Sequence, residues 1–239
     1  MIRLISDLHL SEARPGTTAA FTRFLAGPAR ECDTLWILGD LFEYWAGDDD
    51  LENHFNARIA DALSTLTSTG VTTKLIVGNR DFLLGNDFSA RTGISILAEP
   101  VRLDLGNEQA LLLHGDVLCT DDTAYMQFRQ MVRNPAWQAQ FLAQPLAVRR
   151  KIAEDLRAKS EMAKQGKDMD IMDVNNSAVE SAFQKYDTSI LIHGHTHRSA
   201  HHRLTLDGRT CHRWVLADWH DKACWLEWNG IELALQSEP

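Results

Sequence analysis

Five short apolar runs, each of β character and each ending abruptly in an acid, an amide or a histidine, limit what this chain can become. Ile2–Ile5 runs into Ser6-Asp7-Leu8-His9, Thr34–Leu38 into Gly39-Asp40, Thr73–Val77 into Gly78-Asn79, and Ala110–Leu113 into His114-Gly115-Asp116. The last, Ser189–Ile192, runs into His193-Gly194-His195-Thr196-His197. Open α/β sheets keep their sites at the carboxyl ends of their strands. A fold that lays these runs side by side therefore gathers the polar residues along one sheet edge. Side chains alternate faces along an extended segment, so His193, His195 and His197 are expected to point the same way until Gly194 turns the backbone.

The segments between the runs agree with an α/β order. Ala20, Phe21, Phe24 and Leu25 give Thr17–Leu25 a helical stripe, and Phe55, Ile59, Ala62, Leu63 and Leu66 give one to Leu51–Leu66, with Gly70 at its exit. From Ile94 the rhythm shortens. Ile94–Leu97, Val101–Leu105 and Ala110–Leu113 read as strands with a turn at Gly106-Asn107. Ala200–Leu206, Thr210–Leu216, Ala223–Trp228 and Ile231–Leu235 follow, with Asp207-Gly208 and Asn229-Gly230 as hairpin signals. The expected fold class is α/β, a two-sheet αββα sandwich forming one domain over residues 1–239.

Residues 121–168 interrupt it as a helical insertion. Asp121 or Asp122 can cap a helix through Val132, Asn134-Pro135 starts a second, and Pro145 opens a third running to about Ala163. The third carries Arg149, Arg150, Lys151, Arg157, Lys159 and Lys164, with Lys167 beyond its end, against few acids. Phe141, Leu142, Leu146, Ile152 and Leu156 make the insertion apolar as well. Two readings stay open on this pattern: an amphipathic helix packed on its own domain with a solvated basic face, or a lid over an anionic, amphiphilic substrate. The chain as a whole is acidic, with 24 basic against 33 acidic residues and a net charge of −9, which argues against a general nucleic-acid surface. Cys32, Cys119, Cys211 and Cys224 show no pairing pattern and are expected as reduced thiols in a cytosolic protein. Met1 leads directly into a strand, so no signal peptide is expected, and no apolar stretch is long enough to span a bilayer.

Carboxylate, imidazole and amide oxygen donors together suit borderline-hard divalent cations such as manganese, iron or zinc. Asp7, His9, Asp40, Asn79, His114, His195 and His197 are too many donors for one ion, and they serve two if Asp40 bridges. Two cations about 3.5–4 Å apart can hold the attacking and leaving oxygens of a displacement at phosphorus. Asn79 would bind through its carbonyl oxygen without adding charge that repels a phosphate. Taken singly, each acid is an ordinary turn former and each histidine an ordinary core residue. Their joint occurrence at strand exits favours the metal reading. His193 is equally well placed to support a ligand, and His201, His202, His212 and His220 read as structural.

In order, DLH, GD, GN, H and GHTH resemble the blocks of the calcineurin-like metallophosphoesterase superfamily. The third block usually continues Asn-His; here it is Gly78-Asn79-Arg80-Asp81, so a fixed cation, Arg80, stands where a histidine is usual. With the blocks LGDLFEYW, GNRDFLLG, HGD-LCTDD, IMDVN and IHGHTHR, the chain is similar to the branch of that superfamily acting in lipid A synthesis at the bacterial inner membrane. The resemblance implies hydrolysis of the pyrophosphate of UDP-2,3-diacylglucosamine, by water attack on the α-phosphorus, to UMP and 2,3-diacylglucosamine 1-phosphate. It implies two manganese ions, one held by Asp7, His9, Asp40 and His197, the other by Asp40, Asn79, His114 and His195. Asp40, Asn79 and Arg80 would carry the catalysis. Substrate contacts would come from Asn79, Arg80, Asp122, Ser160, Lys164, Lys167 and His195. The insertion would cradle the acyl chains, its basic rim meeting anionic headgroups on the cytoplasmic face of the inner membrane. No protein or nucleic-acid partner is implied. The donor pattern alone would equally serve a phosphoesterase of soluble nucleotides or phosphodiesters, whereas a non-catalytic scaffold would be expected to lack some donors.

Overall fold

The computed structural model describes residues 1–165 and 173–238, with side chains described as far as Lys159 in the helix that ends at Gln165. In the first sheet, β1 (Ile2–Ile5), β2 (Thr34–Leu38), β3 (Thr72–Ile76) and β4 (Ser95–Leu97) run parallel. Leu4, Trp36, Leu38 and Ile76 face the second sheet, while Ile5, Leu35, Ile37 and Leu75 face a helical layer. Burial on both faces is why these runs read as continuously apolar rather than alternating. The second sheet places β5 (Val101–Leu105), β6 (Glu108–Leu112), β7 (Ile190–His193), β8 (Ala200–Leu206) and β9 (Arg209–Val215) in the order β5-β6-β7-β9-β8. Here β6, β7 and β9 are parallel. Two further strands, β10 (Cys224–Trp228) and β11 (Leu233–Ser237), extend the first sheet antiparallel beside β1.

Helices α1 (Pro15–Ala26), α2 (His54–Ser68) and α3 (Asn86–Thr92) cover the first sheet. Phe21, Phe24 and Phe88 are fully buried there, each contributing about 1.5–3 kcal/mol by leaving water. The insertion comprises α4 (Thr123–Val132), α5 (Pro135–Leu142) and α6 (Leu146–Gln165), and α7 (Asn176–Tyr186) closes the outer face of the second sheet through Val179 and Phe183. The layers are those of an αββα sandwich.

Several boundaries depart from the periodicity for local reasons. Residues 48–52 form a 3-10 turn, and Asn53 Oδ1 accepts from the N–H groups of Phe55 (2.8 Å) and Asn56 (3.3 Å), so α2 starts at His54 rather than Leu51. Ile231 and Glu232 are not in a strand: both donate to Asn229 Oδ1, at 2.8 and 3.0 Å, so the hairpin loop takes them and β11 begins at Leu233. Short α3 is capped from a distance, since Asp48 Oδ2 accepts from Asp87 N (2.9 Å) and Phe88 N (3.0 Å).

Asp122 caps α4 and Asn134 caps α5. Four of the basic residues of α6 are paired, so they do not form the free face that their local sequence suggests. Arg149 pairs with Asp49, Arg150 with Asp50 at 2.5 Å, Lys151 with Asp155 at 2.7 Å and Arg157 with Glu43 at 2.8 Å. Three of those acids lie on the loop after β2, about a hundred residues away in sequence, which is why α6 reads as unbalanced in isolation. No helix among the described residues is long and apolar enough to cross a membrane.

Candidate metal centre

The exits of β1, β2, β3, β6 and β7 converge on one edge shared by the two sheets. The loops are tied directly: Asp7 N donates to Gly39 O (3.1 Å), His9 N to Asp40 O (2.9 Å), and Gly194 N to His114 O (2.8 Å). Gly39 has a φ of +89°, and a Cβ there would strike His114 Nδ1 and Gly78. A side chain at that position would push the loops apart.

Two donor groups result. The ligand atoms of Asp7, His9 and His197 lie within 4.8 Å of one another, as do those of Asp40, His114 and His195. In the first group His9 Nε2 is 3.2 Å from His197 Nε2, and His197 Nε2 is 3.5 Å from Asp7 Oδ1. In the second, His114 Nε2 is 3.0 Å from Asn79 Oδ1. Asp40 faces both, with Oδ2 3.8 Å from His9 Nε2 and Oδ1 3.7 Å from His114 Nε2. The structure thus brings together all seven residues that the strand-exit pattern singles out as donors.

Their backbone explains how. Asp7, His9, Asp40, His195 and His197 all have φ between 50° and 69°, the left-handed region that side chains usually avoid. Among the described residues other than glycine, only Asp187 and Asp207 also have positive φ without being donors. Strained backbone of this kind collects at functional sites. It also corrects the expectation for HGHTH. The strand stops at His193, which turns inward with its Nε2 3.2 Å from Arg213 and joins neither group. His195 and His197, each left-handed, then diverge into different groups rather than sharing a face.

Chemically the set fits divalent cations: buried carboxylates, imidazoles and one amide oxygen, with a carboxylate between two clusters. Burial pushes the Asp40 carboxyl up to about 7, helped by Asp81 and Asp7 and opposed by His114. A cation between the donors removes that penalty by favouring the ionised form.

Around the donors sits a layer of acids to which the strand-exit pattern gave no role. Asp218 Oδ2 is 3.5 Å from His197 Nδ1, and Glu43 Oε2 is 3.8 Å from His9 Nδ1, so each faces the far nitrogen of a donor imidazole. Asp218 stands two residues before a histidine in the loop before β10, a signal too common to single it out. Asp81 is fully buried and accepts from Leu41 N (2.7 Å) and Gly78 N (2.8 Å), locking the loop of Asp40 to that of Asn79. Asp81→Ala leaves both N–H groups buried without a partner. It should destabilise the metal-free protein by about 2–4 kcal/mol, measured by denaturant unfolding.

A cavity of about 500 Å³ opens beside the two groups. His9, Asp40, Asn79, Arg80, Asp122 and His195 line it together with Tyr125, Phe128, Trp137, Phe141 and Leu156 of the insertion. Four of the residues expected to contact substrate (Asn79, Arg80, Asp122 and His195) therefore border it. Lys167 lies outside the described residues, and Ser160 and Lys164 outside those with described side chains.

The calcineurin-like phosphoesterase family matches this chain over residues 1–199. Proteins named UDP-2,3-diacylglucosamine hydrolase are similar over nearly all of it. The one from Aromatoleum aromaticum is 57% identical over 226 residues, covering 95% of this chain and 92% of that one. Those from Cellvibrio japonicus and Klebsiella pneumoniae are 50% and 49% identical, covering 98% and 91% of this chain and 97% and 90% of theirs. Matches of that extent show that the chain belongs to the calcineurin-like phosphoesterase family, in the group formed by these relatives.

Proposed function

We propose that this protein hydrolyses the pyrophosphate linkage of UDP-2,3-diacylglucosamine, with water attacking the α-phosphorus to release UMP and 2,3-diacylglucosamine 1-phosphate for lipid A synthesis. The observation that carries this reading is the shared cavity, which is lined both by phosphate-directed donors and by aromatic and aliphatic side chains of the helical insertion. A soluble nucleotide leaves those side chains in water, whereas acyl chains bury them. The names of the relatives support the same substrate.

Two manganese ions, or other divalent metals, would be held by Asp7, His9 and His197 for one and Asn79, His114 and His195 for the other, with Asp40 available to both. Bound there, such ions acidify a water and neutralise charge on phosphate oxygens. Asn79 and His195 also orient the phosphate. Arg80 stabilises the charge that develops as the linkage breaks. Asp122, on the cavity wall, also contacts the substrate, as do Ser160, Lys164 and Lys167. The protein acts in the cytoplasm, touching the inner membrane peripherally. Met131, Leu142 and Val148, exposed on the insertion, support that contact.

The direct test is release of UMP from the acylated substrate with manganese, compared with cleavage of bis-p-nitrophenyl phosphate. Faster turnover of the soluble diester would reject the lipid substrate. Leu156→Ala should lower kcat/KM for the acylated substrate by about tenfold, the worth of a buried leucine side chain. The soluble diester should be cleaved as before; an equal loss on both would mean that Leu156 does not meet acyl chains.

A further inference from the structure

Helix α4 carries Tyr125 and Arg129, and its C-cap residue is Arg133, at intervals of four, so all three leave one face. That face grips the loops that bear donors. Arg129 spans two carboxylates, with Nε donating to Asp116 Oδ2 at 2.8 Å and Nη2 to Glu99 Oε1 at 2.5 Å. The other oxygen of Glu99 accepts the backbone N–H of His114 at 2.8 Å. Tyr125 Oη donates to the same Asp116 oxygen at 2.7 Å, and its ring stacks on His195 with centroids 5.9 Å apart. Arg133 Nη2 donates to Gly78 O, the residue before Asn79, at 2.9 Å. One helix face thus reaches the loops of His114, His195 and Asn79, and these residues belong with the second donor group.

We infer that Arg129 is a positioning residue for that group, so that the first helix of the insertion is a fixed part of the metal centre as well as a wall of the cavity. Asp116 is fully buried and the Arg129 side chain is 19% exposed, so the bridge is charge-assisted and poorly screened. Without the guanidinium, Glu99 loses its ion pair with Arg129, Asp116 keeps only the longer pair with Arg133 Nη2 at 4.0 Å and the Tyr125 hydroxyl, and the loop carrying His114, which both carboxylates hold, is the element that yields. The spacing Tyr-x3-Arg-x3-Arg is visible in the sequence, but its partners are not.

The inference rests on reading the donors as a cation site, and its test separates the two. Full-length wild type, Arg129→Met and Arg129→Lys would be titrated with Mn2+ by calorimetry, then assayed on the acylated substrate and on bis-p-nitrophenyl phosphate. Arg129→Met should weaken one Mn2+ binding step by about 10–100-fold. It should lower kcat on both substrates alike, with KM for the acylated substrate unchanged. Arg129→Lys, which keeps the charge but not the fork, should recover part of both losses. Mn2+ binding like that of wild type, or a change confined to KM for the acylated substrate, would overturn the inference. Should Arg129→Met fail to fold, Glu99→Gln weakens the same bridge and carries the same comparison. Wild type that binds Mn2+ but releases no UMP would reject the proposed reaction while leaving this inference standing.

Discussion

Asp40→Ala should eliminate metal-dependent turnover, lowering the rate by at least about a thousandfold even at saturating manganese. Asp40 presents a different oxygen to each donor group, Oδ2 to His9 and Oδ1 to His114. Its Oδ1 also accepts the backbone N–H of Arg80 at 2.8 Å, so the residue organises the loop of Asn79 too. The fold should survive the change, because burial already disfavours the charged form of Asp40, and the core between the sheets does not include it. Asp40→Asn separates the roles: it keeps an acceptor for Arg80 N–H but loses the charge common to the groups. Manganese titrations of rate, run beside circular dichroism melts, read both effects. A variant lacking this carboxylate that still turned over at the wild-type rate would refute the assignment of ligands.

The donors were legible because each stands where an apolar run breaks, and a strand exit is a local event. Asp7, Asp40, Asn79 and His114 needed only that reasoning. What local pattern could not supply was direction. His193, His195 and His197 look equivalent under alternation, yet one enters the interior and the other two part company, because left-handed residues reset the direction of the chain. Long-range capping escaped for a related reason: α3 depends on Asp48, a residue far from it in sequence, and no local signature marks such a helix. The charge of α6 was visible but misleading, since Asp49, Asp50 and Glu43 approach it only in the folded chain.

Replacing Arg80 with alanine should reduce kcat by about 10²–10³-fold, the usual loss when one donor to a developing negative charge is removed, while Mn2+ affinity stays close to that of wild type. The separation follows from which atoms do what. The contact of residue 80 with Asp40 is made by its backbone N–H, and its carbonyl accepts from Trp45 N at 3.1 Å. Both survive any side chain other than proline. Removing the guanidinium therefore keeps these two backbone contacts and takes charge from the cavity wall. Arg80→Lys should recover only part of the rate, because an ammonium cannot match two phosphate oxygens as a planar fork does. A large fall in metal affinity in Arg80→Ala would instead make this residue a structural prop. Single-turnover kinetics with calorimetry on the same samples distinguish the cases.

Transplanting this centre into another protein would demand its main chain before its side chains. Aspartate and histidine, besides asparagine, are the L-residues that best tolerate positive φ, and they occupy positions 7, 9, 40, 195 and 197. Coordination chemistry and conformational tolerance therefore select the same few amino acids. A host sheet with ordinary strand exits, given identical donors, would aim them apart, so a successful graft has to copy the five reversed turns.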